Sequence, residues 1–233
     1  MRSILAAGIL GVFLIQVAGC PNMMTEGTTQ GAKFTTSKGE FVVKLELEKA
    51  PVTVGNFMQY VKDGFYNGTI FHRVVPSFMI QGGGYTSDMT LKQVRSSIIN
   101  ESGNGLSNVR GTIAMARGDA PDSAEAQFFI NVADNKQLDS TVTTPGYTVF
   151  GEVTQGMDIV DQIAAVPTQD QLGFSNLPVD PVTIQSIELV DVPSGVAELT
   201  AQGQDMVQQQ QYQAMLFVRQ TVVSLLQFAL SPR

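Results

Sequence analysis

The sequence predicts a mainly β fold, a strand-dominated barrel capped by two helices and followed by a helical C-terminal extension, and three observations lead there. Between residues 33 and 193, short runs of alternating apolar and polar residues recur between clusters of Gly, Asn, Asp and Pro, the pattern of many short strands joined by tight turns. Only two stretches of that region follow the helical period instead, which is few helices for so many strands. The composition agrees: 43% hydrophobic and 15% charged residues, with 22 Gly and 10 Pro, describe a turn-rich globular chain rather than a disordered one.

Taken in order, Lys33 to Thr36 and Glu40 to Leu47 flank Ser37-Lys38-Gly39 as a hairpin, with Phe41, Val43, Leu45 and Leu47 alternating against more polar neighbours. Ala50-Pro51 then opens a helix. Val54, Phe57, Met58 and Val61 fall at i, i+3, i+4 and i+7, Pro stands near the start, and Gly64 closes it. Further strands are expected at Thr69 to Val75, Phe78 to Gln81, Gly111 to Ala116, Gln127 to Val132, Tyr147 to Val153 and Pro181 to Val192. The second helix is expected within Gly156 to Val166, where Ile159, Val160 and Ile163 share a face.

The two ends differ from this middle. Met1-Arg2 supplies a short positive start, Ile4 to Val17 is an apolar run, and small residues lead to Cys20. That is a signal-peptide profile, shorter than the ~20 apolar residues of a membrane span. Val17-Ala18-Gly19-Cys20 resembles the lipobox of bacterial lipoproteins, in which the cysteine is acylated; two or more acyl chains give stable anchoring. Residues 1–19 are therefore expected to be a lipoprotein signal peptide and 20–32 a lipidated N-terminus with a flexible linker. Residues 33–193 are expected to form the folded domain. In 194–233, Met215, Val218, Val222, Leu225 and Ala229 lie along one side of a helical pattern, an apolar face suited to docking on the barrel or to self-association. The location implied is the cell envelope, membrane-anchored and facing the periplasm or exterior.

Charge and counting exclude several chemistries. A formal charge of −7 without a basic run argues against nucleic acid as a partner. One cysteine and one histidine rule out disulfides, zinc ligand sets and Cys/His nucleophilic pairs. Gly82-Gly83-Gly84 lacks the Lys-Ser/Thr and the helix start of a phosphate cradle, and reads as a strand-end turn.

The middle of the chain carries the motifs. Phe71-His72-Arg73-Val74-Val75-Pro76-Ser77-Phe78-Met79-Ile80-Gln81-Gly82-Gly83-Gly84 closely resembles the signature of cyclophilin-type peptidyl-prolyl cis/trans isomerases of the bacterial branch. Gly111 to Arg117, Ser123 to Ile130, Leu138-Asp139 and Tyr147 to Gly151 resemble the later blocks of that family, in its order. The resemblance implies an eight-stranded antiparallel barrel whose groove lies on its outer face. It makes Arg73 the catalytic residue, and it makes Phe78, Met79, Gln81, Ala116, Arg117, Gln127, Phe129, Leu138 and Tyr147 the substrate-binding set. By residue type alone, Phe78, Met79 and Phe129 are ordinary core candidates, and His72 reads as a structural neighbour of Arg73.

The implied activity is isomerisation of X-Pro bonds in extracytoplasmic proteins, assisting their folding, with proline-containing polypeptides as partners and neither metal nor organic cofactor called for. A proline-peptide-binding chaperone module with little turnover is the alternative; retention of Arg73 and Gln81 speaks against it. Three positions depart from the best-known eukaryotic pattern. Gln137 replaces an aromatic that serves cyclosporin binding more than turnover, so weak cyclosporin binding is expected; Tyr147 replaces His, and Arg117 replaces Asn.

Overall fold

The computed structural model describes residues 28–193. The leader over 1–19, Cys20 and the helix expected within 194–233 lie outside the described residues. Strands β1 (Thr28–Thr36) and β2 (Gly39–Leu45) form the first hairpin, and α1 (Pro51–Lys62) follows. Then come β3 (Thr69–Val75), β4 (Met79–Thr86), β5 (Thr112–Met115) and β6 (Phe128–Asn131). A single 3-10 turn (Lys136–Leu138) precedes β7 (Val149–Gln155) and α2 (Met157–Ala164). The chain continues through β8 (Thr168–Gln171), β9 (Phe174–Pro178) and β10 (Thr183–Pro193).

Eight strands close an antiparallel barrel in the order β1-β10-β3-β4-β6-β5-β7-β2, while β8 and β9 pair separately. The expected mainly β barrel with two helices is what the chain forms. Its interior is packed core. Phe34 stacks on Phe41 at 4.6 Å, and Phe128 turns its edge to Phe34, Tyr66 and Phe71 at 5.5 to 6.3 Å. Helix α1 brings Val54, Phe57 and Val61 to this core as its period predicted, with Tyr60 beside them and Met58 only partly buried, and α2 brings Val160, Ile163 and Ala164.

Three expectations need correction. The linker expected to run to residue 32 gives way earlier, because β1 begins at Thr28 and pairs with β10 as far as Thr28↔Pro193. Gly31 belongs in that strand: a Cβ there would come within 2.6 Å of Val192, so the residue marks close strand contact rather than slack chain. Second, Gly82-Gly83-Gly84 is not a strand-end turn but the middle of β4. A Cβ at Gly82 would meet the Ile70 carbonyl oxygen at 2.9 Å, and one at Gly83 the Phe128 ring at 2.7 Å, so the glycines let β4 bend closely over the core. Third, the β8–β9 hairpin was not expected. Its turn places Leu172 and Gly173 at φ of 55° and 82°, the left-handed geometry of a tight hairpin carried partly by a residue that seldom adopts it.

Candidate active site

Each barrel strand has two faces, and the outer one builds the site. Along β4, Ile80 points into the core while Met79 and Gln81 point outward; along β6, Phe128 and Ile130 point in while Phe129 and Asn131 point out. Met79, Ala114, Phe129 and Val149 thereby form a second buried apolar cluster outside the barrel. Val75, Phe78, Leu106, Ala116, Leu138 and Tyr147 pack around it from the loops and strand ends.

Register then aligns the polar groups with this floor. Arg73 on β3 pairs with Gln81 on β4, Gln81 pairs with Phe129 on β6, and Phe129 pairs with Ala114 on β5. The result is one row across four strands: a guanidinium, a carboxamide, then an apolar surface. A cavity of about 180 Å³ opens over the row, lined by Arg73, Phe78, Met79, Gln81, Ala116, Arg117, Phe129, Leu138 and Tyr147. Every residue expected at the site is thus brought together except Gln127. That residue lines an adjoining cavity of similar volume with Gly118, Ser123 and Glu125, and Gln81, Ala116 and Arg117 border both. Gln81 Nε2 donates to Gln127 Oε1 at 3.2 Å where the two meet.

Two arginines serve the site differently. Arg73 lines the cavity and, among the described residues, has no carboxylate within ion-pair distance. Arg117 is fully engaged. It donates through Nε to the Gly146 carbonyl at 3.2 Å, through Nη1 to Gly118 and Asp119, and through Nη2 to Pro145 at 2.9 Å. Its guanidinium also lies 4.9 Å from the centre of the Tyr147 ring, and that ring meets Phe129 edge-on at 5.5 Å. Arg117 therefore joins the two loops that rim the cavity.

His72 is adjacent to Arg73 in sequence but not in environment. Its ring is buried outside the cavity against Tyr85 at 4.8 Å and Phe174 at 6.1 Å, and Nδ1 has no hydrogen-bond partner among the described residues. Burial pushes its pKa down to about 4; the nearby Arg73 charge adds to the lowering, and the Ile70 carbonyl opposes it. His72 is thus a buried packing group and does not line the cavity. Gln137 lies exposed on the 3-10 turn and does not line the cavity.

Sequence reasoning missed the Ser123 and Glu125 side of the second cavity. Both lie on an irregular stretch between β5 and β6 that has no period to read. It also missed Val75, Leu106 and Val149 in the apolar surround; for Val149, strict alternation with Phe150 was a signal that would have found it.

Comparison with known proteins gives the same frame. Residues 32–189 match the family described as cyclophilin type peptidyl-prolyl cis-trans isomerase/CLD. A peptidyl-prolyl cis-trans isomerase of Acinetobacter baylyi is 48% identical over 184 residues, covering 79% of this chain and 94% of that protein. Peptidyl-prolyl cis-trans isomerase B of Escherichia coli is 50% identical over 157 residues, covering 66% of this chain and 96% of its own length. Among solved structures, a cyclophilin type peptidyl-prolyl cis-trans isomerase of Cryptosporidium parvum superposes with a TM-score of 0.59 at 25% identity, covering 70% of this chain and 99% of that one. A second structure of that protein, in the presence of the dipeptide ala-pro, gives a TM-score of 0.58 with 69% and 98% coverage.

Proposed function

Because the chain belongs to the cyclophilin-type peptidyl-prolyl cis-trans isomerase family and is such an isomerase, we propose that its outward cavity turns X-Pro bonds of extracytoplasmic polypeptides, assisting their folding, with Arg73 as the catalytic residue. The observation that carries this reading is the row Arg73–Gln81–Phe129, which sets a permanent cation at the edge of an apolar slot.

The chemistry asks for little more. Rotation about a peptide bond meets a barrier of roughly 18–20 kcal/mol, because the nitrogen lone pair is delocalised into the carbonyl. No covalent bond breaks, so no nucleophile or general base is needed. A donor that stabilises the lone pair as it localises on nitrogen lowers the barrier, and a guanidinium holds its donors rigidly and stays charged. Phe78, Met79, Phe129 and Leu138 receive the pyrrolidine ring, while the preceding carbonyl rotates above them. Water excluded from that slot makes the Arg73 contact count for more. Gln81 holds the peptide backbone beside it. Selectivity for proline follows from X-Pro bonds alone populating both isomers within about 0.5–1 kcal/mol. A dipeptide of the ala-pro kind, present with the Cryptosporidium relative, is the minimal unit such a slot requires.

The extracytoplasmic setting is supported by the positive start, the apolar run and Val17-Ala18-Gly19-Cys20, which together propose Cys20 as the acylated residue and a membrane as its partner. The decisive experiment is a protease-coupled assay of the full chain on an X-Pro peptide. Arg73→Ala is expected to lower kcat/KM by about 100-fold or more with its melting temperature unmoved. Full turnover in that variant overturns the role of Arg73.

A further inference from the structure

Beneath the cavity, buried carboxamides occupy places that an apolar side chain would fill at lower risk. Asn131 is fully buried on the outer face of β6, one alternation beyond Phe129 and directly across from Met79. Asn108 is fully buried as well, and Asn135 is 3% exposed. A buried amide costs stability unless its donors and acceptors are satisfied, and these satisfy one another in sequence. Asn135 Nδ2 donates to Asn131 Oδ1 at 2.8 Å, and Asn131 Nδ2 donates to Asn108 Oδ1 at 3.2 Å and to Thr112 Oγ1 at 2.9 Å.

The ends of this chain fall on the walls of the slot. Asn135 Nδ2 also donates to the Phe78 carbonyl at 2.8 Å, the same oxygen that accepts the Val132 N–H. At the other end, Asn108 Nδ2 donates to Asp139 Oδ1 at 2.9 Å and to the Tyr147 carbonyl at 3.3 Å. Tyr147 N–H in turn donates to the Leu138 carbonyl at 2.9 Å. A continuous path of hydrogen bonds therefore runs from the backbone of Phe78 to the backbones of Leu138 and Tyr147. None of Asn108, Asn131 or Asn135 lines the cavity.

We infer that Asn108, Asn131 and Asn135 are positioning residues that set the width of the proline slot by fixing Phe78 on one side against Leu138 and Tyr147 on the other. Without the side-chain amides, the Phe78 loop keeps one backbone bond to this side, Val132 N–H to the Phe78 carbonyl at 3.0 Å, and otherwise meets Leu138 and Tyr147 through apolar contacts, which tolerate sliding; further donor–acceptor pairs hold length and direction. The inference rests on the groove assignment above, and the two fail separately. Loss of turnover in Arg73→Ala beside an unmoved KM in the variant below overturns the asparagine chain alone.

The test compares two substitutions in the full chain, assayed well below their melting temperatures. Asn135→Ser is too short to reach Phe78 and is expected to raise KM for an X-Pro peptide about 5- to 10-fold with kcat nearly unchanged. Thr112→Val removes a partner of Asn131 on the side away from the slot walls; it is expected to lower the melting temperature and leave KM alone. An unchanged KM in Asn135→Ser, or an equal rise in Thr112→Val, overturns the inference by making the chain a purely structural support. A measurement on the unmodified chain needs no variant to fold. On titration with the peptide, side-chain amide NMR signals of Asn135 and Asn108 are expected to shift while that of Asn67 stays, and unmoved Asn135 and Asn108 signals overturn the inference as well.

Discussion

The inside and the outside of the same barrel strands obey opposite economies. Inside, Phe34, Phe41 and Phe128 are enclosed and pack ring to ring, and Phe150 packs on Phe57 of α1, so each is specified by volume. Outside, Phe129 and Met79 are almost as buried, yet they pack beneath an open cavity beside Arg73 and Gln81. One residue of displacement along β6 moves a phenylalanine from the barrel core to the wall of the outer cavity. The lesson is that burial does not separate core from site here; what separates them is whether the far side of the side chain meets protein or solvent.

The adjacent pair Phe128 and Phe129 tests this most severely. Phe128→Ala leaves a hole ringed by Phe34, Tyr66 and Phe71, and is expected to cost about 3–5 kcal/mol. Phe129→Ala opens its gap to the cavity, where water fills it, and is expected to cost roughly 1–3 kcal/mol. The activity order is reversed: per folded molecule, Phe129→Ala should lose about 10- to 100-fold in kcat/KM and Phe128→Ala far less. Urea unfolding and the protease-coupled assay read the two effects. Equal stability losses with unchanged activity in both would erase the distinction.

His72 sharpens the comparison from a third setting, outside the barrel but covered by Tyr85 and Phe174. Its folded pKa of about 4 lies below the unfolded value of 6.5. Between those values the unfolded chain binds the proton and the folded chain does not, so stability falls as pH drops through that window and levels off below it. The loss between pH 7 and pH 5 is expected to be about 2 kcal/mol. Asp139 and Asp161 are also held low, Asp139 by Ser107 and Asn108 against an opposing burial cost, and Asp161 by Arg110. Their contribution is lost only below the ordinary aspartate value of 3.8, outside this window. His72→Gln should flatten the slope of unfolding free energy over this range; a slope that survives the substitution assigns the effect elsewhere.

How much of this was legible in the sequence depends on the range of the interaction. Helix α1 announced itself through Pro51, Gly64 and the spacing of Val54, Phe57 and Val61, all local signals. Its N-terminal donors did not: Val52 and Thr53 N–H groups donate to the Glu101 carboxylate, at 3.1 and 2.8 Å, a cap supplied from a distant loop. The β8–β9 hairpin was hidden because its turn asks Leu172 for a backbone angle that its side chain does not advertise. Period placed Phe78, Met79 and Phe129 only as apolar residues. It was the resemblance of the Phe71 to Gly84 segment that pointed to a groove, and the strand register that gathered those residues beside Arg73. Ser123 and Glu125 stand in a block that resembles the family, but the resemblance gave them no role and their irregular stretch has no period to place them.

The smallest expected effect concerns the rim, and it asks whether the outer face owes its accuracy to the sheet alone. Arg117 gives its donors to carbonyls of two loops, those of Gly118 and Asp119 on one side and Pro145 and Gly146 on the other, and stacks on Tyr147. Neither loop is tied by strand pairing at these residues, so the fork of the guanidinium supplies what the ladder does not. Arg117→Ala should let Tyr147 drift from Phe129 and raise KM about 5-fold, close to 1 kcal/mol of lost binding. Arg117→Lys keeps the charge but has neither the planar fork nor the stacking surface, so it should recover little of that loss. If lysine restores KM fully, the rim works through charge on the substrate. If alanine leaves KM untouched, the barrel strands and the buried amides beneath them hold the slot without help from above.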